Sequence, residues 1–193
     1  MAKKKNIQKR KRHRDRDQRR YKTSLKQMGK DLCVAVFFGL GSTLIVCSFF
    51  FSLMKVTGYG MSPTVRNGEY VLVKKTKEVR RFDLVAFNNG SGKRQILRII
   101  GLPGESIAFK EDELFVNGQP MDEKFIVDEV NESQRNGKNY TEDFTLGSFL
   151  IEKGTIPAGY YFVLGDNRPY ATDSRHYGLV SKEKVIGFVY NSR

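Results

Sequence analysis

A run of 23 residues without a charged side chain, residues 32–54, limits the possible architectures of this chain more than any other segment. As an α-helix it would extend about 34 Å, enough to cross a hydrocarbon core of about 30 Å. A soluble helix would carry a polar stripe, whereas this run has only scattered serine, threonine and glycine. Secretory signals have shorter apolar regions and a small-residue cleavage site, and the following residues offer no such site. The run therefore predicts an uncleaved transmembrane anchor over 32–54.

The charge of the chain is concentrated before this run and predicts its orientation. The chain carries 34 Lys+Arg and 21 Asp+Glu, a net charge of +13. Residues 1–31 hold 14 basic and 3 acidic residues (+11), whereas residues 32–193 hold 20 and 18 (+2). By the positive-inside rule the tail stays in the cytoplasm. We therefore predict a single-pass protein of the cell membrane with a cytoplasmic tail, 1–31, and an extracellular domain, 55–193.

Other interpretations of the composition are weaker. An arginine-rich tail could bind nucleic acid or anionic lipid, but the apolar run directly after it favours a topology signal, and no nucleic-acid partner is predicted. The only two cysteines, Cys33 and Cys47, lie inside the run, which excludes a disulfide-rich scaffold. With two histidines and two cysteines in the whole chain, no metal site is predicted, and no cofactor is expected.

After residue 55 the pattern changes to short apolar runs with a period of two residues, which is typical of β-strands. Seven runs are predicted as strands: 70–73, 83–87, 95–100, 106–109, 113–116, 160–164 and 185–190. The pair Asn117-Gly118, which lies between two apolar runs, is the clearest hairpin signal. The sequence therefore predicts a mainly β outer domain, a small barrel or sandwich with few or no helices.

One part of the outer domain lacks this alternation. Residues 122–147 are polar and acidic, and a returning strand is expected near 144–151. We predict a polar surface insertion into the β domain, at about 111–158.

Three segments, in this order, resemble the motifs of type I signal peptidases, the Ser/Lys peptidases of the S26 family, in the shorter Gram-positive form. They are VTGYGMSPTV at 56–65, LRIIGLPGE at 97–105 and GDNRPYATDSR at 165–175. A single anchor directly before the first segment also fits the family, and the resemblance covers roughly 32–193. It implies a signal-peptidase-like β domain and a serine endopeptidase that removes signal peptides from secreted preproteins.

The resemblance also implies which positions carry the chemistry. The family uses a serine nucleophile, a lysine base kept neutral by burial, and a further hydroxyl that orients the lysine. In this chain those positions are Gly60, Leu97 and Ala171. The resemblance therefore implies a member without the catalytic dyad, in which no catalytic residue is expected. The residues matching the family's scaffold around the site are Gly58, Met61, Pro63, Thr64, Arg98, Gly101, Gly165, Asp166, Asn167, Arg168, Asp173, Ser174 and Arg175.

Two residues could in principle replace the missing groups. Ser62 follows Gly60 by two positions, but in a strand this displaces it by about 6–7 Å, and a base would still be needed. His176 has an ordinary pKa near neutrality and could act as a base. We expect Ser62 to line the cleft and His176 to be a surface or packing residue.

Two functions remain open at this level. The favoured hypothesis is a membrane-anchored, non-catalytic homologue that binds signal-peptide-bearing secreted precursors and assists their assembly. Some dyad-less relatives serve pilus assembly, so the resemblance makes pilin precursors and a sortase candidate partners. The alternative is an active signal peptidase I that uses Ser62 and an unexpected base. Self-cleaving repressors have a related Ser/Lys fold, but the anchor argues against them.

Overall fold

A computed structural model of the chain describes residues 30, 32–90, 92–149 and 154–190. It divides the chain into two units, Met1–Ser48 and Phe49–Arg193. The prediction of a cytoplasmic tail over 1–31 falls almost entirely outside the described residues, as does the end of the strand predicted over 144–151.

The uncharged run forms one long helix followed by a strand. Helix α1, Leu32–Phe50, is the one described helix that is long and apolar enough to cross a membrane. Phe51–Lys55 forms strand β1, which pairs with the next strand. The helix therefore ends four residues before the anchor predicted over 32–54. The absence of charge cannot separate an apolar helix from an apolar strand, and here Met54 is buried in the core of the second unit.

The second unit is mainly β, as predicted, and contains two antiparallel sheets. Each of the seven predicted runs contains a strand. The strands after β1 are β2 Tyr70–Lys74, β3 Leu84–Asn88, β4 Arg94–Gly101, β5 Ile107–Lys110, β6 Glu113–Val116, β7 Gln119–Met121, β8 Phe144–Thr145, β9 Tyr160–Leu164, β10 Val180–Ser181 and β11 Val185–Tyr190.

The large sheet has the order β1-β2-β11-β3-β4-β9-β10, and the small sheet has the order β7-β6-β5-β8. Alternating residues of β2, such as Val71 and Val73, are buried, while their neighbours face solvent. One core cluster packs against β1–β4, β9 and β11. A second cluster joins the small sheet to β4 and β9 through residues such as Ile107, Phe109 and Phe162.

The polar insertion is more ordered than its sequence suggested. It contains α2, Val127–Arg135, which has acidic residues in its first turn and a basic residue in its last, and which buries none of its residues. The returning strand is short, because β8 gives way to a helical turn, α3 Leu146–Phe149, where Leu146 inserts into the second core cluster. A further short helix, α4 Ser174–Tyr177, follows β9, and a 3₁₀ turn, Lys182–Lys184, precedes β11.

Candidate functional site

The three positions to which the resemblance assigns the chemistry lie together in the folded domain. Leu97 is in the middle of β4 and is 1% exposed. Gly60 is half-buried in the loop after β1, and both residues line a cavity of about 40 Å³. A side chain at Gly60 would place its Cβ 3.4 Å from the Cβ of Ala171. Gly60 is thus adjacent to both of the other positions, although the three lie far apart in the sequence.

Hydrogen bonds fix the loop that carries Gly60. The backbone N–H of Asn167 donates to the carbonyl of Gly60 at 3.0 Å, and its side-chain amide donates to the carbonyl of Tyr59 at 3.0 Å. At the start of the loop, Gly58 has a φ of 92° and donates its N–H to Asn67 Oδ1 at 3.0 Å. Because few other residues adopt that conformation without strain, a glycine at 58 suits this turn.

Gly165 closes the site from the opposite loop. A Cβ at this position would come within 2.3 Å of the Ala171 Cβ and within 2.4 Å of the Gly60 carbonyl oxygen. Both approaches are too close for any side chain, so this glycine lets the two loops touch.

A buried ion pair between Arg98 and Asp166 lies next to Gly165 in the chain. Arg98 Nε donates to Asp166 Oδ1 at 2.7 Å, and its Nη2 makes a second contact with the same carboxylate. Thr64 donates its hydroxyl to Asp166 Oδ2 at 2.5 Å. The guanidinium of Arg98 also lies 3.8 Å from the centre of the Phe125 ring. Asp166 is thus fully paired, as a buried charge requires.

A second buried pair links the site to the polar insertion. Arg168, which is 2% exposed, donates to the carbonyl of Gly165 at 2.9 Å and to Thr141 Oγ1 at 2.9 Å. Its guanidinium forms two bonds to the carboxylate of Glu123. Burial raises the pKa of Glu123, and the charge of Arg168 opposes that shift.

Tyr140, also from the insertion, donates its hydroxyl to the Asp166 carbonyl at 2.8 Å. Burial raises the pKa of Tyr140 to about 12, so this hydroxyl remains a donor at physiological pH.

The third motif forms a compact turn around Asp173. This residue caps α4 and accepts the N–H of Gly165 at 3.1 Å. Arg175 donates to Asp173 Oδ2 at 2.9 Å and to the carbonyl of Arg168 at 2.6 Å. Ser174 is buried and accepts the N–H of Val163 at 3.0 Å.

The family profile described as "Signal peptidase, peptidase S26" matches residues 29–190. The chain belongs to this signal peptidase family. Its relatives include signal peptidase I V of Bacillus subtilis (strain 168), which is 40% identical over 139 residues, 70% of this chain and 81% of that protein. Signal peptidase I of Bacillus caldolyticus is 39% identical over 145 residues, 73% of this chain and 78% of that protein.

A solved structure has the same fold. The crystal structure of a signal peptidase I from Enterococcus faecalis V583 superposes with a TM-score of 0.55 and is 40% identical in sequence. The match covers 58% of this chain and 97% of that one. The mainly β fold predicted from the resemblance to signal peptidases is therefore confirmed.

The two alternative catalytic residues, Ser62 and His176, do not line the cavity beside Gly60. Ser62 is half-buried, and its N–H donates to the carbonyl of Tyr59 at 3.1 Å. The side chain of His176 is 56% exposed, and its Nδ1 lies 3.4 Å from the N–H of Asp173, in the cap of α4. Among the described residues, neither Ser62 nor His176 lines the cavity beside Gly60, and Arg94 is the only ionisable residue that does.

The scaffold residues do not all belong to the site. Met61 is buried in the first core cluster next to the cavity. Pro63 and Thr64 line a separate groove, together with Arg98. A Cβ at Gly101 would lie 2.4 Å from Ile156 Cδ1, so this glycine allows close packing in the second core cluster.

Sequence reasoning missed the contribution of the polar insertion. Glu123, Phe125, Tyr140 and Thr141 all come from that segment, and each contacts Arg98, Asp166 or Arg168. The available signal was weak: Phe125 begins a short apolar run, 125–127, inside an otherwise polar stretch. Such a run in a surface excursion indicates that part of it packs against the domain.

Proposed function

We propose that this chain is a non-catalytic member of the signal peptidase family, which binds signal-peptide-bearing precursors and assists their assembly. The observation that carries the proposal is that Gly60 shares a cavity with Leu97 and lies against Ala171. These side chains supply neither a hydroxyl nor an amine. Loss of a serine-hydrolase nucleophile or its base typically lowers kcat by about 10⁶-fold.

Peptide binding needs none of the missing groups. β1 lies at the edge of the large sheet, and Met54 of β1 lines the same cavity as Leu97. An extended peptide can pair its main chain with an exposed strand edge, while small cavities beside that edge select its side chains. The buried ion pairs of Arg98 with Asp166 and of Arg168 with Glu123 stabilise the segments around this site. Pilin precursors are the binding partners that we propose for this site, with a sortase as a further partner.

Membership of the family favours a second candidate function. The relatives are signal peptidases I, and an active enzyme here would use Ser62 with an unidentified base. This alternative requires Ser62 to move into the cavity, where the described residues supply Arg94 as the only ionisable group.

We expect the full chain in detergent to bind a synthetic signal peptide without cleaving a preprotein. Ser62→Ala should leave binding unchanged, because the Ser62 side chain does not line the cavity. Binding is measured by fluorescence anisotropy and cleavage by gel electrophoresis, with an active signal peptidase I as the positive control. Cleavage that Ser62→Ala abolishes in a folded protein would favour the active enzyme. Absence of signal-peptide binding would contradict both functions.

We also propose that α1 anchors the protein with residues 1–31 in the cytoplasm and the β domain outside. The basis is the +11 charge before α1 and the near-neutral charge after it. Protease added to intact protoplasts should digest the β domain and leave an epitope tag at the N-terminus protected. Protection of the β domain, with digestion restored only after lysis, would reverse the orientation.

A further inference from the structure

A second concave surface is separate from the cavity at Gly60, and the two share no lining residue. Leu97 lines the small cavity, and the next residue, Arg98, lines a groove of about 510 Å³. Residues of β3, β4 and β11 form one wall of this groove, and residues 124–129 of the insertion form the other.

The groove combines aromatic rings with carboxylates. Phe82, Phe125 and Phe188 line it, and all three are partly exposed. The rings of Phe82 and Phe125 are 5.2 Å apart. The result is an apolar floor that remains accessible to solvent.

The charge of the groove is negative. The carboxylates are Asp83, Asp128 and Glu129, and the cations are Lys124 and Arg98. The guanidinium of Arg98 is engaged by Asp166, so three carboxylates face one uncommitted lysine. No salt bridge joins Asp128 or Glu129 to a cation among the described residues.

The backbone at the rim of the groove is also unusual. Phe82 has a φ of 67°, a left-handed conformation that is rare for a bulky residue. Its carbonyl accepts a hydrogen bond from Arg98 Nη1 at 2.9 Å, which holds the ring at the groove. Strained residues of this kind cluster at ligand-binding positions.

We propose that this groove binds a basic segment of a partner protein, in which an arginine or lysine lies beside an apolar side chain. Aromatic faces attract such cations, and Arg98 already lies over Phe125 at 3.8 Å within the same groove. The carboxylates of Asp128 and Glu129 supply the complementary charge, and the phenylalanines accept the apolar neighbour.

Charge complementarity also selects the occupant. A two-fold dimer through this groove would place the same patch against itself and bring carboxylates together. The surrounding insertion adds to this repulsion, because residues 111–143 carry ten acidic and three basic residues, a net charge of −7. A different protein with a basic segment avoids it.

The groove and the cavity beside Gly60 share no lining residue, so we expect that both can be occupied at the same time. A protein that assists assembly needs one surface for the precursor and another for the protein that receives it. The inference extends the proposed function but does not require the cleft to be inactive.

The test uses the full chain in detergent and a fluorescein-labelled peptide of alternating arginine and leucine. A peptide of alternating glutamate and leucine controls for apolar binding to micelles. We expect Asp128→Asn/Glu129→Gln to weaken binding of the basic peptide by roughly tenfold or more. The matched control, Glu113→Gln/Glu132→Gln, removes the same charge from the same insertion outside the groove and should change the affinity by less than about twofold.

Several outcomes would overturn the proposal. These are no binding of the basic peptide, equal losses in both double variants, or displacement of the peptide by a signal peptide. Self-association that only the groove variant abolishes would assign the groove to a second copy instead. Thermal unfolding of each variant verifies that it is folded.

Signal-peptide binding is measured on the same samples and separates this proposal from the previous one. The groove variant should bind signal peptide like the parent protein. A loss confined to the basic peptide then concerns the groove, and a failure confined to the signal peptide concerns the cleft.

Discussion

Leu97→Lys should lower the free energy of unfolding by roughly 3–5 kcal/mol, a value typical of an uncompensated buried charge. Leu97 is 1% exposed and lies opposite Val85, which is also fully buried. The amine would therefore lose its hydration without gaining a partner. The chain has no tryptophan, so denaturant unfolding of the full chain is best followed by circular dichroism. The matched control, Leu97→Met, conserves volume and should cost less than about 1.5 kcal/mol.

The triple variant Gly60→Ser/Leu97→Lys/Ala171→Ser should recover part of that loss. A Cβ at Gly60 would meet the Ala171 Cβ at 3.4 Å, which is an ordinary contact, so serines at both positions would bring two hydroxyls close together. They would give the lysine amine hydrogen-bond partners that the single variant lacks. Preprotein cleavage by the triple variant, but not by the parent protein, would support the view that only the reactive groups are missing. A folded triple variant that neither binds nor cleaves would show that the cleft itself has changed.

Arg168→Met should also destabilise the fold by roughly 3–5 kcal/mol, because it leaves a buried carboxylate without its partner. The Arg168 side chain is inaccessible, and that of Glu123 is only 6% exposed. The variant also removes the donors to Gly165 and Thr141. Arg135→Met, at the exposed end of α2, removes the same charge where no ion pair is seen among the described residues and should have little effect.

The pH dependence of the stability of Arg168→Met should identify the unpaired Glu123 carboxylate as the cause of the destabilisation. Burial raises the pKa of Glu123, and Arg168 opposes this shift, so the variant should raise that pKa further. A carboxyl group whose folded-state pKa lies above its unfolded value contributes stability at low pH, which is lost as the pH rises through the folded-state pKa. The deficit of Arg168→Met should therefore be smaller at about pH 5 than at about pH 8. Arg168→Met/Glu123→Gln should recover most of the loss and remove this difference. An unchanged deficit across that range would assign it to lost packing instead.

The strands of the core could be predicted because their alternation reports which face is buried. β2 exposes Tyr70, Leu72 and Lys74 and buries the residues between them, and the sequence shows that period directly. β7 was missed because it has three residues, one of them Pro120, and it exists by pairing with β6. Short edge strands depend on their partners more than on their own residues.

The helix α2 was also missed, but for a different reason. It buries none of its residues and has only two apolar side chains, Val127 and Val130, so hydrophobic periodicity was a weak signal. Its charges did carry one, since Asp128 and Glu129 lie in the first turn and Arg135 lies in the last, where each favours the helix dipole. Charge placement was the better guide in this segment.

The site could be anticipated in part. The resemblance named Gly60, Leu97 and Ala171, but no local pattern brings together positions so far apart in the chain. The pairing of Arg168 with Glu123 had no local signal either, because a buried ion pair is defined by which elements meet. The groove at Phe82 was equally hidden, since its walls come from both sheet and insertion.

The strand order of the large sheet has a consequence for biosynthesis. β11 is the last described strand in the chain, yet it lies between β2 and β3. Until β11 has left the ribosome, no strand joins the β1–β2 hairpin to the rest of the large sheet, and the facing edges of β2 and β3 stay open. Unpaired edges of this kind attract chaperones and wrong partners. The large sheet therefore cannot close before β11 has emerged, and a nascent chain stalled before β11 would present two unpaired strand edges rather than a folded intermediate.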